Sequence, residues 1–109
     1  MKVSVLGCGR WGSFIAWYQA TVLKNEVVSW GPEGDYSYEV LKNTGKNEYV
    51  ALDKSITLTC DLKFAVESAD VIIISISSQG LRGFMQKIIK YNVKDKPFVL
   101  CMKGIEEST

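Results

Sequence analysis

The segment Val3-Ser4-Val5-Leu6 runs straight into Gly7-Cys8-Gly9-Arg10-Trp11-Gly12, and no other feature of the chain narrows its fold as much. A G-x-G-x-x-G that leaves an apolar strand and opens an amphipathic helix is the context in which this pattern binds a dinucleotide. Gly7 permits the sharp exit from the strand, Gly9 lets the backbone approach a pyrophosphate, and Gly12 lets the helix pack close to the sheet. The phosphates then sit at the positive end of that helix. The alternative is a glycine-rich turn that holds nothing, and the strand–turn–helix context favours the ligand.

The remaining pattern alternates apolar runs with helical periods, the signature of β-α units feeding a parallel sheet. Helix one spans about Arg10 to Val22, with Trp11, Phe14, Ile15, Tyr18 and Val22 as its apolar stripe. Strand two is Glu26 to Trp30, stopped by Gly31-Pro32. Tyr36 to Asn43 reads as a short helix closed by Thr44-Gly45, and Lys46 to Ser55 as a surface loop. Ile56 to Cys60 reads as a strand, and Asp61 as the N-cap of a helix from Leu62 to Ser68.

The run Val71 to Ile76 is β-branched without polar alternation, which indicates a strand buried on both faces. After it, Ser77 or Ser78 caps a helix striped by Leu81, Phe84, Met85, Ile88 and Ile89, and Pro97 introduces a last strand, Phe98 to Met102. The chain is therefore expected to be one Rossmann-type, doubly wound α/β domain over residues 1–109, its mainly parallel sheet carrying helices on both faces. Gly7 to Gly12, Gly31-Pro32, Ser75 to Ser78 and Met102 to Gly104 all fall at carboxyl ends of strands. They should converge on one crevice. Glu106 to Thr109 read as the start of a further element.

Composition excludes several classes. A formal charge of +1 with no long basic run argues against nucleic-acid binding. No apolar stretch is long enough to span a bilayer, and an N-terminus that begins in a strand points to the cytoplasm. Cys8, Cys60 and Cys101 are odd in number and widely spaced, which argues against a disulfide framework or a zinc site. Histidine is absent, so this chain alone cannot build Ser-His-Asp, Cys-His or histidine–metal chemistry.

Several residues converge on the expected crevice. An acidic residue after strand two holds an adenosine ribose, whereas an arginine accommodates a 2′-phosphate. Here Pro32 follows Gly31, and Glu33 either reaches the ribose or is a solvated loop carboxylate. Arg10 lies along the phosphates or points to solvent. Trp11 covers the cofactor or packs beneath its helix. Ser77-Ser78-Gln79 follows the central strand where a nicotinamide would pass, and Lys103 can hold an anionic substrate group as a point charge.

These segments together resemble the bacterial NAD(P)-dependent glycerol-3-phosphate dehydrogenases. The opening Lys2 to Gly12 is similar to that family's G-x-G-x-W-G turn, and Val27-Val28-Ser29-Trp30-Gly31 to its Trp-Gly-ended second strand. Ala69 to Gln79 is similar to its A-D-(apolar run)-P-S-Q segment, and Lys103-Gly104-Ile105-Glu106 to its K-G-I-E element. The resemblance covers the whole chain. It implies hydride transfer between NAD(P)H and a small phosphorylated substrate, interconverting sn-glycerol 3-phosphate and dihydroxyacetone phosphate for phospholipid precursor synthesis. It assigns cofactor contacts to Gly7, Gly9, Arg10, Trp11, Gly12 and the Pro32 position, and both cofactor and substrate contacts to Lys103.

The same resemblance puts the catalytic lysine in a helical C-terminal domain beyond this chain, so the fragment is expected to bind dinucleotide without turnover. The full-length protein would be a homodimer. Arg10 replaces a small hydroxyl residue, Pro32 an arginine and Ser77 a proline, so the choice between NAD and NADP stays open. Related folds offer rival readings in ketopantoate reductase and 6-phosphogluconate dehydrogenase, against which K-G-I-E and Trp11 both argue. From another class, the chain would be a non-catalytic dinucleotide sensor.

Overall fold

The computed structural model of the chain describes residues 1–47, 50–76, 81–91 and 96–100. Its strands are β1 (Lys2–Leu6), β2 (Glu26–Trp30), β3 (Thr57–Thr59), β4 (Val71–Ile74) and β5 (Phe98–Leu100). All are parallel, in the order β3-β2-β1-β4-β5. The order reverses between β1 and β4, which puts the switch point at the carboxyl end of β1. Register aligns Leu6 with Trp30 on one side and with Ile74 on the other, so the three central strands end level. This is the doubly wound sheet that the apolar alternation implies.

Helices α1 (Arg10–Trp17), α2 (Tyr36–Thr44), α3 (Leu62–Ser68) and α4 (Leu81–Ile88) join the strands. The steps from β1 to β2 and from β2 to β3 run one way across the sheet, and those from β3 to β4 and from β4 to β5 run the other. Right-handed crossovers therefore place α1 and α2 on one face and α3 and α4 on the opposite face. The core divides accordingly. Val3, Val5, Val27 and Ile73 pack with Ala16 and Ala20 on the α1 face. Leu6, Val28, Trp30, Ile72 and Ile74 pack with Ala65, Val66 and Ile88 on the other. Ile72, Ile73 and Ile74 are all buried, as a central strand covered on both faces requires.

Local signals place the short helices. Asp35 and Asp61 cap α2 and α3, accepting from the amides of Tyr38 and Phe64 at 3.1 Å each. Gly45, at φ +76°, ends α2 in the left-handed conformation that a glycine adopts without strain. α3 spans the expected residues. β3 is shorter than expected and β4 stops at Ile74, although the Ser75 amide still donates to the Leu6 carbonyl at 2.9 Å.

Two expectations are corrected. Of the apolar stripe expected on helix one, Ile15 packs partly against the sheet, and the rest turns away from β1 and β2. Trp11, Phe14, Tyr18 and Val22 are exposed, and the buried positions are Gly12, Ser13, Ala16 and Ala20. Small residues at this spacing let the helix axis approach β1 and β2 closely, which bulky side chains would prevent. Its last turn is also π-helical, over Tyr18–Val22, with the Leu23 amide reaching back five residues to the Tyr18 carbonyl. The second correction concerns Ile89. It is exposed because α4 ends at Ile88, whereas Phe84, Met85 and Ile88 do pack on the core.

Candidate functional site

The glycine turn is built by close approach. The Gly7 amide donates to the Trp30 carbonyl at 2.8 Å, carrying the β1 ladder one residue past the strand. Gly7 has φ +129°, and a Cβ there would collide with the Ser75 carbonyl of the neighbouring strand end. A Cβ on Gly12 would meet the Gly7 carbonyl instead, so Gly12 lets α1 fold back over the turn that launches it. Around Gly9 the space is open: among the described residues, a Cβ there meets nothing within 4 Å. Of the three glycines, Gly7 and Gly12 serve the turn itself, and Gly9 leaves room for something outside it.

Gly9 is also the N-cap of α1. Among the described residues no side chain caps this helix, and its first turn carries no carboxylate. That end keeps the partial positive charge that Asp35 and Asp61 offset on α2 and α3. An anion is the complementary ligand.

Beside the turn lies a groove of about 330 Å³ lined by Cys8, Gly9 and Arg10 from the turn, Tyr36, Ser37 and Val40 from α2, and Asn47. The Asp35 cap starts α2 at Tyr36, so the capping interaction sets one wall of the groove. Asn47 sits in the segment read as a surface loop. Its side-chain amide donates at 2.9 Å to the hydroxyl of buried Ser13, tying that segment to α1. Arg10 supplies the cationic side chain of the lining, with its guanidinium 6.0 Å from the centre of the Trp11 ring.

Beneath the groove, Cys8 is buried between β2 and α2. Its thiol donates to the Trp30 carbonyl at 3.3 Å and lies 3.5 Å from the Ser29 hydroxyl. Burial pushes this thiol up to about 11, only partly offset by the Ser29 contact. A protonated, inaccessible thiol is a poor nucleophile, so its small size is what the site uses. Gly31 completes the floor: a Cβ there would stand 2.7 Å from that of Tyr38 and 3.0 Å from the Cys8 sulfur.

The turn, the end of β2 and Ser75 thus converge as expected. Pro32 and Glu33 are exposed beyond β2 and do not line the groove. Trp11 does not pack beneath α1; it is exposed, edge-on to Phe14 at 6.5 Å. Ser77, Ser78, Gln79 and Lys103 lie outside the described residues. Sequence reasoning missed Tyr36, Ser37, Val40 and Asn47. The signal for the first two was present, because a capping Asp35 puts the next residues in the first turn of α2. Asn47 carried no such signal, since its link to Ser13 spans 34 positions.

Residues 2–109 match the family model described as NAD-dependent glycerol-3-phosphate dehydrogenase N-terminus. A glycerol-3-phosphate dehydrogenase [NAD(P)+] of Parvibaculum lavamentivorans is 36% identical over 113 residues, covering 99% of this chain and 33% of the relative. One of Thermoanaerobacter sp. is 33% identical over 113 residues, covering 100% and 33%. Among solved structures, glycerol-3-phosphate dehydrogenase from Coxiella burnetii superposes with a TM-score of 0.82 at 21% identity, covering 94% of this chain and 32% of that one. The chain spans about a third of the length of the curated relatives it matches.

Proposed function

Since the chain belongs to the family of NAD-dependent glycerol-3-phosphate dehydrogenase N-termini, we propose that residues 1–109 are its dinucleotide-binding domain. The observation that carries this reading is the pairing at Gly9: among the described residues, open space over its Cβ position, at the N-terminus of a helix that no side chain caps. A pyrophosphate fits that combination, because it needs close backbone approach and an uncompensated positive helix end. Gly7 and Gly12 shape the turn, Gly9 cradles the phosphates, and Arg10 and Trp11 flank them. The groove beside α2 takes the adenosine half. The cofactor supplies hydride transfer at its nicotinamide ring.

In the whole protein the reaction is the interconversion of sn-glycerol 3-phosphate and dihydroxyacetone phosphate, carried out in the cytoplasm to supply phospholipid precursors. Lys103 holds the phosphorylated substrate and the cofactor, and the proton-transfer groups come from a C-terminal domain. The assembly is a homodimer.

Calorimetric titration of the chain with NADH and with NADPH, beside Gly9→Val, tests the site. Binding that Gly9→Val abolishes while its far-UV spectrum stays native is the expected result, and the tighter ligand reveals the preference between the two. A folded wild-type chain that takes up neither would overturn the proposal. Oxidation of NADH by dihydroxyacetone phosphate, followed with the full-length protein, tests the reaction.

A further inference from the structure

The sheet face that carries α1 and α2 is covered over β1, β2 and β3. Over β4 and β5, among the described residues, the same face is a groove of about 340 Å³. Phe14, Ile15, Tyr18 and Gln19 border it, and Ile73 and Val99 form its base. Phe14, Tyr18 and Val99 are 42%, 39% and 46% exposed. This is where the displaced apolar stripe of helix one leads: its large side chains turn away from β1 and β2 and wall an apolar trough.

Parallel strands are found with both faces covered, because their side chains are apolar on both sides. A further right-handed crossover beyond β5 would not cover this trough. It would lay its helix on the opposite face, with α3 and α4, as the step from β4 to β5 already does. The covering element therefore comes from elsewhere. The curated relatives supply a source, since about two thirds of their length lies outside the part this chain spans.

We infer that the trough over β4 and β5 seats an amphipathic helix from that remaining polypeptide, in the same molecule, lying alongside the aromatic side of α1. The inference rests on the family reading above. It adds to that reading the surface through which the rest of the protein attaches, which is on the α1 flank and separate from the dinucleotide groove.

The test uses the natural gene product with both ends intact, carrying the photo-cross-linker p-benzoylphenylalanine in place of Tyr18. The expected product is an intramolecular cross-link, at monomer mass, to a peptide beyond residue 109. Covalent tyrosine labelling of the unsubstituted natural protein provides a second readout. Tyr18 should fall to the level of buried Tyr38, whereas in the 109-residue chain it labels readily.

A natural product of only 109 residues would overturn the inference, as would a Tyr18 that stays labelled in the longer protein. Cross-links appearing only at dimer mass would assign the trough to a second copy and overturn it equally. Neither readout involves NADH, so failure of dinucleotide binding and failure of this docking surface are separately visible.

Discussion

The carbonyl oxygen of Ser75 fills the space that a side chain on Gly7 would need, while the Gly7 amide is held by the Trp30 carbonyl at 2.8 Å. The turn is thus clamped between the ends of β2 and β4 and cannot shift to relieve a clash. Gly7→Ala should cost about 3 kcal/mol or more in stability, from the positive φ and the backbone collision together. Gly9→Ala should stay within about 0.5 kcal/mol, since its Cβ enters open space. Urea unfolding of both variants checks this; equal losses at the two positions would refute the division between turn-forming and ligand-facing glycines.

The inverted packing of α1 predicts an equally uneven response. Ala16 is fully buried against the sheet, so Ala16→Leu should overpack that face and cost about 1–3 kcal/mol. Phe14→Gln, on the exposed stripe, should change the stability of the 109-residue chain by no more than about 0.5 kcal/mol. Thermal unfolding with the reverse ranking would restore the bulky stripe to the core.

Loss of the two aspartate caps should act locally. Asp35→Ala and Asp61→Ala should each cost about 1 kcal/mol, and the asparagine variants much less, because an amide oxygen also accepts the first-turn amide. Asp35→Ala should in addition weaken NADH binding, since α2 forms a wall of the groove, whereas Asp61→Ala should leave it unchanged. Calorimetry on the two variants separates the effects.

Cys8 gives the chain an alkaline limit. Its thiol ionises near the ordinary 9.0 when unfolded and at about 11 when folded. A raised folded-state value means the contribution is intact below pH 9 and is lost as the unfolded chain ionises first, between pH 9 and 11. The full difference amounts to about 3 kcal/mol. Stability measured across that window should fall more steeply for the wild type than for Cys8→Ala. In the native state at neutral pH, iodoacetamide should modify Cys60 well before Cys8. Rapid alkylation of Cys8 would contradict its burial.

Much of this protein was legible in one dimension because the physics that decides it is local. The strand–glycine–helix order, the Asp61 cap three residues ahead of the amide it accepts from, and the unbroken apolar run of β4 each depend on neighbours a few positions away. The α3 boundaries followed from Asp61 and its periodicity alone. Periodicity pointed to the large apolar stripe of helix one, whereas the buried face is the small set Gly12, Ser13, Ala16 and Ala20. Only the tertiary structure chose between them. Close approach of α1 to β1 and β2 admits small side chains and excludes bulky ones, a requirement that exists only once the strands are in place. The groove depended on assembly in the same way: Asn47 reaches Ser13, and Gly31 meets Tyr38 and Cys8, only after the sheet has brought distant segments into contact.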